Sequence, residues 1–161
     1  IAEYSAVAPN GNLRLSLPNT GTLNDSVVVF TGNMTTTAGR FYTTVLADSG
    51  ATRTLFSVAD DFGNRVDSGF TRLRFINATG KSPGLSLIRV DSSSATVVTR
   101  DTLFRNVSFS NATAFITVRT NPENAFLRYR LVETSNGAIV GAPFTALVGN
   151  TTNRRATTVV S

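Results

Sequence analysis

The sequence contains one stretch twice, at a constant offset of 114 residues. Sliding the chain over itself without gaps places residues 10–46 on residues 124–160. Whatever fold the second copy adopts therefore constrains the first copy as well. Identical positions include Asn10 and Asn124, Leu13-Arg14 and Leu127-Arg128, Leu17 and Leu131, Thr20 and Thr134, Phe30 and Phe144, Arg40 and Arg154, and Thr43-Thr44-Val45 and Thr157-Thr158-Val159.

Apolar and polar residues alternate along the chain with a period of two, which is typical of half-buried β-strands. Turn-forming residues such as Pro9-Asn10-Gly11 and Asn136-Gly137 separate these runs at the short spacing of an all-β sandwich. No segment has a sustained helical period. The clearest alternating runs are Leu13, Leu15 and Leu17, then Leu73 and Phe75, then Leu127, Tyr129 and Leu131.

The two copies differ in what precedes them. Nine residues precede Asn10, whereas the second copy follows several strand candidates, namely Thr71–Asn77, Leu85–Val90, Thr96–Thr99 and Phe115–Val118. We therefore expect two tandem Greek-key β-sandwich units of the Ig-like or transthyretin-like kind. The expected boundaries are an incomplete first unit at 1–60, which lacks its opening strands, a linker at 61–69 and a complete second unit at 70–161.

A sandwich without its opening strands exposes apolar side chains and unpaired backbone groups. At about 25 cal/mol per Å² of apolar surface, a few hundred Å² left bare would cost several kcal/mol. The covering strands could come from a segment outside this sequence, from the second unit, or from a neighbouring molecule by strand addition. The sequence predicts an assembly groove in the first unit, lined by Leu13, Leu15, Leu17, Phe41 and Val45.

The chain contains no Cys and no His, which excludes thiol nucleophiles, disulfides and a Ser-His-Asp triad. No carboxylate pair stands out as a glycosidase site, so we predict a non-enzymatic protein without a cofactor. The one local acidic cluster is Asp60, Asp61, Asn64 and Asp67, whose oxygens suit Ca²⁺. The alternative interpretation of this cluster is a polar, turn-forming linker.

The net charge of +5 does not indicate nucleic-acid binding, because the arginines alternate with apolar residues instead of clustering. No run of apolar residues is long enough to span a bilayer. Six Asn-x-Ser/Thr sequons weakly favour a surface location, and they lie at Asn24, Asn33, Asn77, Asn106, Asn111 and Asn150.

Four stretches, in this order, resemble a family of tandem extracellular β-sandwich domains of unknown function that is common in surface lipoproteins of Bacteroidetes. The resemblance implies export and a surface role, and it implies no catalytic residues. The family's lipidated Cys is absent here, so lipid anchoring does not carry over. The stretches are Ala38-Gly39-Arg40-Phe41-Tyr42-Thr43-Thr44-Val45, Val58-Ala59-Asp60-Asp61, Thr71-Arg72-Leu73-Arg74-Phe75-Ile76-Asn77-Ala78 and Phe104-Arg105-Asn106-Val107-Ser108-Phe109.

These observations predict a secreted or cell-surface structural or adhesive protein. Its expected partners are other copies of itself, assembled into an extracellular fibre by β-strand complementation. The alternative is a monomeric surface module that binds glycans or protein partners through its loops.

Overall fold

The computed structural model describes residues 9–18, 26–48, 52–64, 66–67, 69–80, 83–91, 98–119, 127–144 and 156–161. In this part of the chain all regular elements are strands, so the prediction of an all-β protein is confirmed. The strands are β1 (Asn12–Pro18), β2 (Ser26–Asn33), β3 (Tyr42–Asp48), β4 (Arg53–Ala59), β5 (Phe70–Ile76), β6 (Leu85–Asp91), β7 (Val98–Val107), β8 (Ile116–Arg119), β9 (Leu127–Glu133), β10 (Ile139–Phe144) and β11 (Ala156–Val160).

The chain divides into two compact units, Ile1–Asp60 and Asp61–Ser161. The first unit contains β1 to β4 and the second contains β5 to β11. The stretch 61–69, which the sequence predicts to be a linker, is part of the second unit in this division.

The second unit contains two sheets that share one apolar core. One sheet has the order β10-β9-β6-β7 and the other has the order β11-β5-β8. All pairs are antiparallel except β11 and β5, which run parallel. Both sheets contribute to the core, as expected of a β-sandwich. Its buried members are Leu73, Phe75, Val118 and Val159 from one sheet and Leu85, Leu87, Phe104, Val107, Tyr129 and Leu131 from the other.

Alternation explains which side chains of β5 reach this core. Leu73 and Phe75 lie on one face of the strand and are completely buried. Arg74 lies on the opposite face and is also buried, at 1% exposure. Both faces of β5 are therefore covered in the second unit.

Residues that follow Asp60 contribute to that cover. The rings of Phe62 and Phe115 contact each other with their centroids 5.5 Å apart. The Arg72 side chain passes Gly63, where a Cβ would lie 2.9 Å from Nη2, and the same Nη2 donates to the Asn64 carbonyl at 3.0 Å. Residues 62–64 therefore pack against other residues of the second unit, to which they belong.

The described part of the first unit forms two antiparallel hairpins, β1–β2 and β3–β4. A Cβ added at Gly32 on β2 would lie 3.3 Å from Leu55 Cδ2 on β4. The Thr44 hydroxyl on β3 lies 3.6 Å from Met34 Sδ, just after β2. The two hairpins therefore pack against each other.

Candidate functional site

The two adjacent aspartates at positions 60 and 61 use their carboxylates in hydrogen bonds within the protein. Asp60 is 8% exposed, and its two carboxylate oxygens accept the Thr43 hydroxyl at 3.2 and 3.0 Å. Asp61 Oδ1 accepts the backbone N–H of Gly63 at 3.1 Å. The Asp60 carboxylate therefore links the end of β4 to β3, and the Asp61 carboxylate shapes its own segment of backbone.

The other two predicted calcium ligands, Asn64 and Asp67, are engaged through their backbone carbonyls. The Asn64 carbonyl accepts Arg72 Nη2, and the Asp67 carbonyl accepts the N–H of Phe70 at 3.2 Å. Among the described residues, no group of three or more Asp, Glu, His or Cys side chains is placed to hold a metal ion. The calcium interpretation therefore has no such cluster to support it.

The predicted assembly groove involves two strands of the first unit. Leu13, Leu15 and Leu17 lie on β1, Val45 lies on β3, and Phe41 immediately precedes β3. Phe41 is 54% exposed, whereas Leu13 and Val45 are half-buried. The side chains of Leu15 and Leu17 lie outside the described part of the structure. The backbone edges of β1 and β3 are described for both strands.

The hairpins β1–β2 and β9–β10 share one equivalent residue pair, and beyond it their registers differ by one residue. Leu15 pairs with Phe30, and Tyr129 pairs with Phe144. The second pair is the first one displaced by the 114-residue repeat offset. The register of both hairpins shifts directly beyond this pair. The sequence repeat is therefore also a repeat of local structure.

The two edges of β9 are both occupied, and hydrogen bonds identify which residues point to each. The Glu133 N–H donates to the Ala138 carbonyl at 2.8 Å, so odd-numbered residues of β9 point towards β10. The Thr134 N–H donates to the Gly84 carbonyl at 3.0 Å, so even-numbered residues point towards β6. β9 is accordingly a central strand of its sheet.

On β1 the described strands pair with only one of the two corresponding edges. The Met34 N–H donates to the Gly11 carbonyl at 2.9 Å, which places odd-numbered residues of β1 towards β2. Backbone groups of Asn12, Arg14 and Ser16 point the other way. We call this the outer edge of β1. No strand among the described residues pairs with it, although the corresponding edge of β9 carries β6.

β11, the counterpart of β3, pairs with β5, and the equivalent edge of β3 already pairs with another strand. On β11, the Ser161 N–H donates to the Ile76 carbonyl of β5 at 3.2 Å, so odd-numbered residues face β5. On β3, the Phe41 carbonyl accepts the Asp60 N–H at 2.8 Å, so odd-numbered residues, including Val45, face β4. β4 therefore occupies on β3 the edge that β5 occupies on β11.

β1 is thus the strand of the first unit whose place in its sheet differs from that of its counterpart. β2 and β10 are both terminal strands, and so are β3 and β11, in the sheets that the described residues form. β1 is terminal, whereas β9 is central. The outer edge of β1 is the candidate functional site.

The described apolar side chains of the first unit are also more exposed than those of the second unit. In the described part of the first unit the buried apolar residues are Met34 and Ala47, and Val28 remains 39% exposed. Val159 of β11 is 7% exposed, whereas its counterpart Val45 is half-buried. The described apolar residues of the first unit are therefore less completely buried than those of the second.

Two buried polar side chains, Asn77 and Arg74, were not identified as structural residues by the sequence analysis. The Asn77 amide is fully buried, which makes this sequon inaccessible in the folded chain. Arg74 Nε donates to the Thr158 hydroxyl at 2.9 Å, and its guanidinium lies 4.7 Å from the centroid of the Phe115 ring. An arginine in an alternating run gives no signal that its outward face is covered.

The remaining sequons divide between exposed and undescribed positions. Asn33, Asn106 and Asn111 are exposed. Asn24 and Asn150 lie outside the described residues. Three of the six sequons therefore present an exposed asparagine.

Within the described ranges we find no helix with the length and hydropathy needed to cross a membrane. No protein-family model, curated protein or solved structure matches this chain.

Proposed function

We propose that this chain is a structural or adhesive subunit at the cell surface, whose copies assemble into an extracellular fibre by β-strand complementation. The observation that carries the proposal is the outer edge of β1, which lacks a described partner where its counterpart β9 pairs with β6. We interpret the two units as tandem β-sandwiches of Greek-key type, the first of which receives its missing strand from another copy.

Strand addition would satisfy two physical requirements of the first unit at once. It would pair the N–H and C=O groups of the outer edge of β1, which otherwise form a template for unspecific association. It would also cover apolar side chains that are incompletely buried, at about 25 cal/mol for each Å² removed from water. Main-chain hydrogen bonds supply affinity in this mode of recognition, and alternating side chains supply specificity.

The two units together favour an open assembly over a closed dimer. The acceptor edge lies in the first unit, so a donor elsewhere in the chain makes a head-to-tail contact between copies. Such contacts continue indefinitely unless their rotation closes a ring. The surface location is supported by the exposed sequons and by the family resemblance of the sequence.

Electron microscopy and light scattering of the purified chain over a range of concentrations test this proposal. We expect filaments or a ladder of oligomers whose mean mass rises with concentration. A monodisperse monomer at all concentrations would contradict the proposal. Saturable glycan binding by that monomer would instead favour the alternative of a surface binding module.

A further inference from the structure

We infer that assembly uses the outer edge of β1, and that this edge accepts an extended segment of a second copy, antiparallel to β1 and with the residue pattern of β6. This inference rests on the proposed assembly and specifies its acceptor, the direction of the donor and the register. It also limits the predicted groove to β1. On β3, the edge equivalent to the one that pairs with β5 on β11 is already paired with β4.

The second unit supplies the register. β6 runs antiparallel to β9, with Leu87 opposite Leu131 and Val90 opposite Arg128. Displaced by the repeat offset, these positions are Leu17 and Arg14 on β1. A donor therefore places an apolar residue opposite Leu17, and the residue three positions later in its own sequence, which lies on the opposite face, is opposite Arg14.

Pro18 limits how many residues of β1 can pair with the donor strand. Pro18 is the counterpart of Val132, an even-numbered residue whose backbone faces β6. Proline has no N–H, so it cannot donate to an incoming strand and is tolerated at such an edge. Pairing consequently runs over Asn12–Leu17, with N–H donors at Asn12, Arg14 and Ser16.

The donor is not β6 itself, because β6 is hydrogen-bonded to β7 on one side and to β9 on the other. It is another extended segment of the second copy with the same alternation. Cross-linking from the acceptor edge identifies it directly.

Two proline variants of the same hairpin test the acceptor. Ser16 and Thr31 are both exposed, and the N–H of each points away from the β1–β2 ladder. Ser16→Pro removes a donor from the outer edge of β1, and Thr31→Pro removes one from the far edge of β2. Both substitutions preserve the internal ladder, which circular dichroism verifies.

We expect Ser16→Pro to weaken assembly by roughly tenfold, the effect of about one lost hydrogen bond, and Thr31→Pro to assemble like the unchanged chain. Filaments that persist unchanged in Ser16→Pro would overturn the assignment of the β1 edge while leaving the proposed assembly intact. Absence of filaments from the unchanged chain would instead contradict the proposed function.

A peptide measurement tests the edge independently of filament formation. A fluorescent peptide with the sequence 84–91 is titrated into the chain at concentrations where the chain is monomeric. We expect saturable binding that Ser16→Pro weakens and Thr31→Pro retains. Absence of binding, or equal binding by both variants, would overturn the inference.

The source of the donor is tested by a photo-reactive residue at position 16 in a mixture of isotope-labelled and unlabelled copies. We expect cross-links between labelled and unlabelled copies, and none from the same residue placed at position 31. Cross-links confined to single copies would show that the edge is covered within one molecule and would overturn the inference.

Discussion

A single buried amide joins several segments of the second unit. Asn77 Nδ2 donates to the Val107 carbonyl at 2.7 Å, and its Oδ1 accepts the Thr79 N–H at 2.9 Å and the Ser161 hydroxyl at 3.1 Å. The residue is fully buried. It therefore links the end of β5 with β7 and with the residue that follows β11.

Asn77→Ala should destabilise the second unit by about 1–3 kcal/mol, because it leaves the Val107 carbonyl buried without its donor. Asn111→Ala is the control, since this asparagine is exposed. Chemical denaturation measures both. Equal stability of the two variants would show that the Asn77 side chain is not a structural link.

Tyr129 should make stability fall at high pH. Burial raises the pKa of the Tyr129 phenol above its ordinary value of 10.0, against an opposing effect of Arg89. Above that value the unfolded chain loses this proton while the folded chain keeps it, so the free energy of unfolding decreases until the raised pKa is reached. Tyr129→Phe should reduce this loss in denaturation experiments across the alkaline range.

Tyr42 provides a control of opposite sign. The Thr37 side chain lowers the pKa of the Tyr42 phenol most, by a hydrogen bond. The Thr37 N–H, which donates to the Tyr42 hydroxyl at 3.0 Å, and to a smaller extent Arg40 lower this pKa further, against an opposing effect of burial. Its ionisation therefore favours the folded chain above the lowered pKa. Tyr42→Phe should leave the alkaline loss of stability undiminished, and an equal effect of both substitutions would contradict the assignment to Tyr129.

At the scale of elements, β3 and β11 share Thr-Thr-Val in different surroundings. Val159 lies in the core opposite Phe75, whereas Val45 pairs with Phe56 and stays half-buried. Val159→Ala should therefore cost about 2 kcal/mol, and Val45→Ala clearly less. Hydrogen exchange of peptides from each unit, measured in denaturant, separates the two effects. Equal losses would mean that the first unit has a comparable core.

Alternation in the sequence predicted several strands because their apolar residues face a core. β1, β5, β6, β8 and β9 all lie where the sequence suggested strands. β7 is longer than expected because its register with β6 is irregular at three places, which breaks the alternation. Regular patterns are thus visible in sequence, whereas bulges are not.

The sequence predicted the candidate site only in part, because it does not show which edges of the strands are paired. The repeat placed β1 in the groove, but it gave no indication that β4 would occupy the edge of β3. A strand has two equivalent edges, and side-chain alternation reports which face is buried, not which edge is paired. Edge pairing became visible only through the hydrogen bonds of Gly11, Phe41 and Ser161.

At the scale of the whole molecule, we expect the second unit to be more stable on its own than the first. The described residues of the second unit form two sheets with a shared core, whereas those of the first form two hairpins, and two-stranded hairpins are marginal in water without further packing. An assembly that adds a strand to the first unit would therefore stabilise the weaker half of each copy. Binding to the folded state stabilises it by mass action.

This coupling predicts an alternating pattern of hydrogen exchange along β1. In the monomer, the amide of Leu13 should exchange slowly because it faces β2, whereas the amides of Arg14 and Ser16 should exchange quickly because they lie on the outer edge. Assembly should slow Arg14 and Ser16 strongly and leave the amide of Thr31 unchanged. Residue-resolved exchange, by NMR of the monomer and quenched exchange of filaments, measures this pattern.

The same measurement separates three arrangements of the chain. Slow exchange of Arg14 and Ser16 already in the monomer would mean that each copy covers its own β1. Fast exchange in both states would mean that copies associate through another surface. Slowing confined to these even-numbered residues requires a backbone partner on one edge of one strand, because contacts between side chains alone do not protect alternate amides.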